Sequence, residues 1–331
     1  MNITIVVCMK NEGPFLLEWL AHHRAVGVNQ FIVFSNDCTD GSRELLDALD
    51  NAGVIQHLEN PNCLVQSERR IDVAFGYAQK LNAVRNADYV GMIDADEFIN
   101  IKVGDGTFKA LFAEIEPFDV LSYNHVNFGF GGVMRYDPAP ITGQFHMTCG
   151  EQVGQGARAR TSIKSLFRPR EDFQAMNHFP RMGPEAFDDL VWLDGSGHRV
   201  AIDPQKPRRK MLSIGGRTDL VQINHYVLRS VESFLLKHDR GNMHGFEKWD
   251  ARKYVEEYNL NRVADHTIAK SRGLRRRGLR ELKELPGIAD LHEACVIRHR
   301  ERIEALLKTE HGAALYAHFA SLMEQDELVS G

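Results

Sequence analysis

The run Tyr89-Val90-Gly91-Met92-Ile93-Asp94-Ala95-Asp96-Glu97-Phe98 carries the residues best placed to do chemistry. An uncharged apolar stretch empties into two carboxylates spaced i and i+2, with a third acid beside them. Such a stretch reads as a buried strand, and the acids begin where it should end. Ligands of open α/β sheets bind outside the carboxyl ends of the strands, where these acids would stand. Hard carboxylate oxygens suit Mg²⁺ or Mn²⁺, ions that usually bind a few carboxylates together with substrate phosphates. The expected ligand is therefore a metal–diphosphate unit. The competing reading is a pair of solvated acids capping a strand. Glu97 reads two ways, as an orienter of ligand or acceptor and as a partner in an ion pair.

Positioning those acids requires a sheet. Residues 3–9 read as an apolar strand ending at Lys10-Asn11-Glu12-Gly13-Pro14. Pro14 suits the first turn of a helix whose Phe15, Leu16, Trp19, Leu20 and His23 share one face. Phe31-Ile32-Val33-Phe34 is a second strand running into a polar loop, Ser35 to Ser42, that offers N-cap residues to a helix over 43–49. Residues 54–58 read as a third strand. Residues 66–85 read as a helix with an apolar stripe of Ile71, Ala74, Phe75, Ala78, Leu81 and Val84. This alternation over 1–98 predicts a parallel sheet with right-handed crossovers. Further on, 120–126 alternates as a strand, and 137–220 is rich in Pro, Gly and His with short strands at 162–167 and 211–214. Helices are expected near 230–238, 249–258, 290–308 and 312–325.

Composition bounds the function. The 331 residues are 43% hydrophobic and 26% charged, the balance of a soluble globular protein with one large domain or one domain and an appendage. A net charge of −5 argues against nucleic acid as the main partner. Cys8, Cys38, Cys63, Cys149 and Cys295 are odd in number and scattered without a CxxC pair, which reads as free thiols in a reducing compartment and against structural zinc. The N-terminus lacks a basic n-region and reads as a strand, and no apolar stretch approaches the roughly 20 residues that span a bilayer. A cytoplasmic protein is expected, at most peripheral to the inner face of the membrane. The basic stretch Lys270 to Arg280 could make such a contact over 270–283, with anionic lipid or a phosphorylated acceptor. Its few apolar residues favour a charged, solvated face instead. No feature of the sequence speaks to oligomeric state.

Taken together, the motifs have a familiar order. Lys10-Asn11-Glu12 after the first strand, Asn36-Asp37-Cys38-Thr39-Asp40-Gly41-Ser42 after the second and Asp94-Ala95-Asp96-Glu97-Phe98 after the fourth resemble the GT-A nucleotide-diphospho-sugar glycosyltransferases. Lys164-Ser165-Leu166-Phe167-Arg168-Pro169 strengthens the likeness. So does Asn224-His225-Tyr226, followed by Arg229-Ser230, Glu232, Phe234, Lys237 and Arg240-Gly241. The sequence is most similar to the family 2-like group related to family 92, over roughly residues 1–245. Asn36 departs from the pattern, standing where many family 2 enzymes carry an acid.

The resemblance implies an α/β, GT-A-like fold: a mostly parallel sheet flanked by helices over 1–228, with a nucleotide-binding half (1–100), an acceptor half (101–228) and a helical extension (229–331). It implies metal-dependent transfer of a sugar from a nucleotide-diphosphate donor, expected to be UDP-linked, to a hydroxyl of a glycan or lipid-linked acceptor. Asp96 would coordinate the cation bridging the two phosphates, and Asp94 would hold the ribose, or the metal through water. His225 would be the third metal ligand, which favours Mn²⁺ over Mg²⁺, although a lone His is commonly a hydrogen-bonded structural residue. Asn11, Glu12 and Asp37 would line the nucleotide side, with helix capping as the alternative for Glu12. Gln66 and Arg70, on the opening turn of the helix before the acid-bearing strand, would reach base or diphosphate, unless Arg69 and Arg70 are simply solvated. Lys164 and Arg168 could clamp phosphate or acceptor. An inverting reaction needs a carboxylate base. Asp188 and Asp189 lie where family 2 enzymes carry it, and Glu151 and Asp194 are rivals. A nucleotidyltransferase is disfavoured by the lack of a glycine-rich phosphate loop after the first strand. A non-catalytic sugar-nucleotide or glycan-binding module is the remaining alternative.

Overall fold

The computed structural model describes the chain except residues 68–69, 151–161, 172, 175–176, 182–189, 201–216, 242–248 and 331, with side chains to residue 323. The strands are β1 (Ile3–Met9), β2 (Gln30–Ser35), β3 (Gln56–Glu59), β4 (Tyr89–Met92), β5 (Glu97–Ile101), β6 (Val120–Asn127), β7 (Met147–Thr148), β8 (Ile163–Phe167), β9 (Trp192–Leu193), β10 (Val221–His225) and β11 (Val263–Ala264). Nine of them form one sheet in the order β3-β2-β1-β4-β8-β6-β10-β5, with β9 beside β6; β7 and β11 pair separately. Among the described residues, the pairings β1–β2, β1–β4, β2–β3, β6–β10 and β6–β9 are parallel. Those of β8 with β4 and β6, and of β10 with β5, are antiparallel. The expected mixed α/β architecture, mostly parallel and flanked by helices, is therefore present.

β1 is buried on both faces, which is why it reads as an apolar run broken only by the buried Thr4. Ile3, Ile5, Val7 and Met9 join Leu16, Trp19 and Leu20 of the Gly13–Val26 helix in one core, while Val6 and Cys8 face Ile71, Ala74 and Phe75 in another. Each such aliphatic side chain contributes about 1.5–3 kcal/mol through burial. Gly91 sits where β4 meets β1, and a Cβ there would stand 2.7 Å from Ile5 Cδ1, so the tip of that buried side chain would have to move.

Two expectations need correction. The single helix expected over 66–85 is two, Arg70–Ala78 and Asn82–Arg85, preceded by a turn at Asn62–Val65. The break between the two helices falls where the Gln79 amide donates to Phe173 O (2.9 Å) and Leu81 turns extended, which lets Ile71, Phe75 and Val84 reach the same core. The third strand begins later than expected, because Val54 N–H still donates to Leu49 O at the end of the preceding helix (2.9 Å). The strand expected at 211–214 lies outside the described residues.

Toward the C-terminus come helices Val231–Arg240, Ala251–Tyr258, Arg272–Lys283, Ile288–Leu307 and Glu310–Ser330. Leu282, Ile288 and Cys295 share the core of the first helix. Phe130, Val227, Phe234, Val255 and Phe319 make a third core. The basic stretch is a helix with one buried arginine: Arg275 Nη1 reaches Ser271 Oγ and Ile268 O (both 3.4 Å) and lies 3.3 Å from His22 Nδ1, while Arg272, Arg276, Arg277 and Arg280 face solvent. Among the described residues no helix is long and apolar enough to cross a membrane.

Candidate active site

β4 ends at Met92 and β5 begins at Glu97, so Asp94 and Asp96 ride on the turn between them. The turn closes on itself: Asp94 N–H donates to Glu97 Oε2 (2.7 Å) and Glu97 N–H to Asp94 O (3.1 Å). Tyr226 N–H donates to Asp96 O (2.8 Å), and the antiparallel register of β5 with β10 sets His225 opposite Glu97. Backbone bonds thus fix which way each acid points.

On one side lies Lys164 of β8, wholly buried. Its Nζ meets Asp94 Oδ2 (3.0 Å), Glu97 Oε2 (3.2 Å) and Asn177 Oδ1 (2.6 Å), and His125 Nε2 lies 3.0 Å from Glu97 Oε1. The Asp94 carboxyl is pushed up to about 6, first by burial and then by Glu97 and Asp96, with Lys164 opposing. Glu97 goes the other way: despite its burial, Lys164 and His125 hold it below the usual range.

On the other side, Asp96 Oδ2 accepts from Lys237 Nζ (2.6 Å), and its Oδ1 lies 3.7 Å from His225 Nε2. Against the effect of burial, Lys237, His225 and Arg229 hold Asp96 well below the usual range. Burial pushes His225 down to about 4, so the ring is neutral at neutral pH. Its Nδ1 donates to Asn127 Oδ1 (2.7 Å), leaving the Nε2 lone pair toward Asp96. A metal-binding His usually has such an arrangement, its second nitrogen fixed by a hydrogen bond. Among the described residues no three His, Cys, Asp or Glu side chains cluster to hold an ion. Asp94, Asp96 and His225 therefore do not make a cage, but Asp96 and His225 fit a cation whose remaining ligands are phosphate oxygens and water.

Two hollows open near the sheet ends, and the turn lines the first of them. One of about 440 Å³ is lined by Lys10, Glu12, Asp94, Asp96, His225, Lys237 and Arg240, with Trp249 and Tyr254 as an aromatic wall. The other, about 550 Å³, opens at the ends of β2 and β3 and is lined by Asn36, Asp37, Asn60, Gln66 and Arg70. Arg70 borders the second hollow and its neighbour Ile71 the first.

Residues 3–191 match the sequence profile of glycosyltransferase family 92, more than half of the 331 residues. The chain belongs to glycosyltransferase family 92. A family 92 protein of Oryza sativa subsp. japonica is 25% identical over 99 residues, which cover 30% of this chain and 16% of that protein. One of Ricinus communis is 28% identical over 105 residues, covering 31% and 18%. The matched region thus spans less than a fifth of these curated relatives. Among solved structures, TarS 1–349 of S. aureus aligns over 100% of this chain and 92% of its own at 13% identity and a TM-score of 0.34. An active-site mutant of LgtC aligns over 81% and 99% at 10% identity and a TM-score of 0.28. Likenesses this loose decide nothing about this chain.

The expected residues of the family 92 site sort clearly. Glu12 makes no capping bond to the helix after it; it is buried and paired with Arg229 (2.8 Å) and Arg240. Asn11 spends its side chain joining two loops, its Oδ1 accepting from Thr39 N–H (2.7 Å). Asp37 is open to solvent and pairs with Arg70 (3.2 Å). Arg70 opens its helix as expected, but Gln66 ends the preceding turn. Asn11, Asp37, Gln66 and Arg229, the non-glycine residues with positive φ among the described residues, all border these hollows or the Glu12 ion pair. Such backbone collects at functional sites.

Lys164 lies beneath Asp94 and is not a substrate clamp. Nor is Arg168, which donates to Phe118 O (2.9 Å) and Tyr89 Oη (2.8 Å). Asp194 caps a tight turn, accepting from Ser196 N–H (2.9 Å) and His198 N–H (3.0 Å). Glu151, Arg69, Asp188 and Asp189 lie outside the described residues. Sequence reasoning assigned no role to Lys237 or Arg240. Their spacing with Ser233, at i, i+4 and i+7, was the available signal that one helix face turns toward the site.

Proposed function

We propose that this family 92 chain transfers a sugar from a nucleotide-diphosphate donor, UDP-linked, to a hydroxyl of a glycan or lipid-linked acceptor. The observation that carries this reading is the meeting of Asp96 and the neutral His225 Nε2, 3.7 Å apart, beside the ammonium of Lys237 in the aromatic-walled hollow. The nucleoside lies over Asp37, Asn60, Gln66 and Arg70, and the diphosphate over the turn. The transferred sugar and acceptor face Trp249 and Tyr254, whose ring centroids are 4.2 Å apart. Aromatic faces suit the apolar faces of sugar rings while leaving hydroxyls to polar neighbours.

Asp96 and His225 would hold Mn²⁺ or Mg²⁺, which supplies Lewis-acid neutralisation of the charge on the leaving diphosphate. Arg240, tied to Glu12, adds fixed positive charge on the same side, the kind of preorganised stabilisation that acts most strongly where water is excluded, and Lys237 adds a second cation beside Asp96. Asp94, held by Lys164, orients the ribose. Asp188, Asp189 or Glu151 serves as base if the reaction inverts configuration, and membership of family 92 supports the reaction class.

The test is the thermal midpoint with UDP, GDP and their sugar conjugates, with and without Mn²⁺. A ligand at a hundredfold excess over Kd stabilises by about 2.7 kcal/mol. A Mn²⁺-dependent rise with UDP, lost in Asp96→Ala, is expected; no rise with any nucleotide sinks the reading.

A further inference from the structure

We infer that Lys237 is a displaceable counter-ion. It occupies Asp96 until a nucleoside diphosphate arrives, then transfers to the diphosphate and frees Asp96 for the cation. The inference rests on the donor-site reading above and adds an order of events to it.

Among the described residues, each carboxylate of the site already has a cation beside it. Asp94 and Glu97 share Lys164, Asp96 has Lys237, and Glu12 has Arg229 and Arg240. Among the described residues, four carboxylates thus face these four cations, with Lys10 lining the same hollow, so no uncompensated carboxylate there draws in a divalent ion. Such an ion entering alone would meet Asp96 with an ammonium already 2.6 Å from its Oδ2. Two cations on one carboxylate repel, more strongly where burial lowers the local dielectric.

The other cations are not free to leave. Lys164 is wholly buried between two carboxylates. Arg229 stacks on the Phe15 ring, its Cζ 3.8 Å from the centroid, and Arg240 also donates to Lys10 O and to Asn11 O (3.0 Å). Lys237 differs. It has a flexible four-carbon stem, keeps 23% of its side chain exposed and lines the aromatic-walled hollow with Asp96. Its second contact is a single carbonyl, Val227 O at 3.0 Å. An incoming diphosphate offers new anionic oxygens to that ammonium, and the vacated carboxylate oxygen becomes available to the cation that neutralises the same diphosphate. Metal and nucleotide binding are then positively coupled through one side chain.

The experiment measures Mn²⁺ binding to the full chain by the electron paramagnetic resonance signal of the free ion, with and without UDP. It compares wild type, Lys237→Gln and Lys237→Arg, each checked for wild-type thermal midpoint and circular dichroism. In wild type, UDP should tighten Mn²⁺ binding by about tenfold or more, within the usual range of coupling between sites. Lys237→Gln should tighten Mn²⁺ binding in the absence of UDP by a similar factor and shrink the UDP effect accordingly, while Lys237→Arg behaves as wild type. The proposal is overturned if Lys237→Gln binds Mn²⁺ no better than wild type without UDP. It is also overturned, with no variant needed, if wild-type Mn²⁺ affinity is unaffected by UDP. Failure of wild type to bind Mn²⁺ under either condition overturns the metal part of the donor-site reading as well, a result distinct from the first two.

Discussion

Asp94 and Asp96 leave one turn two residues apart and meet opposite surroundings. Asp94 faces β8, where a single buried lysine serves it and Glu97 together, and its carboxyl is pushed up to about 6 by burial first. Asp96 faces β10 and the Val231–Arg240 helix, where Lys237 is its own and the neutral His225 stands 3.7 Å away. The spacing i, i+2 therefore does not make the two acids equivalent. The shared lysine makes the first side a strut between strands, and the dedicated, reachable lysine makes the second side a place for exchange.

The largest expected effect breaks the strut. Lys164→Met leaves the wholly buried Glu97 without its lysine and facing Asp94, and removing one member of a buried ion pair costs about 3–5 kcal/mol. Chemical denaturation should show that loss; a variant as stable as wild type would refute the structural role of this side. Next comes Asp96→Ala, which removes the open side's carboxylate while leaving the strut. Sugar transfer should fall by about 10²–10³-fold, the usual scale for losing a main electrostatic contact to a transition state, with the fold retained by circular dichroism. Unchanged turnover would reverse the assignment of the two acids.

Half of this contrast was legible in the sequence. The strands β1 to β4, the acids following β4 and the helical face of Phe15, Leu16 and Trp19 follow from local patterns, and local patterns survive folding when one core buries them all. The resemblance added His225. The partners of the acids were not legible, because Lys164 lies 70 residues from Asp94 and Lys237 lies 141 from Asp96. Only strand order brings β8 beside β4 and β10 beside β5. Arg275 was hidden for another reason: one inward arginine within a basic run leaves no apolar stripe to read. The break at Gln79–Leu81 answers a contact with Phe173 that lies 94 residues away.

A smaller effect tests the acids by pH. A carboxyl raised above its unfolded value binds its proton more tightly in the folded state. Its stabilising share is therefore present below the unfolded value and lost as pH rises through about 6. For Asp96 and Glu97, held low, the sign reverses: their share is present above the unfolded value and lost as pH falls through their lowered folded values. The Asp94 side chain keeps 36% of its surface open, so water screens its effect on stability and ligand binding is the better readout. Affinity for a UDP-sugar with Mn²⁺, whose diphosphate diester does not titrate in this range, should weaken as pH falls through about 6, while Asp94→Asn should lose that limb. A limb that persists in Asp94→Asn would move the titration to another group.

At the far rim the contrast reaches its third term. The Arg70–Asp37 pair, at 3.2 Å, keeps 33% and 73% of its side chains exposed, against 0% for Lys164 and 23% for Lys237. A pair this open adds no more than about 1 kcal/mol to stability, so Arg70→Ala should melt close to wild type. Arg70 can still matter to a ligand, since a charge-assisted bond to a nucleotide is worth about 1.5–3 kcal/mol. Such a contact is made equally before and during transfer, because the nucleoside end does not change in the reaction. Uniform binding of that kind appears in KM and leaves kcat alone. Arg70→Ala should therefore raise the donor KM by roughly tenfold at constant kcat, about one decade for 1.4 kcal/mol. A fall in kcat instead would mean that the rim, and not only the Asp96 side of the turn, moves during the chemistry.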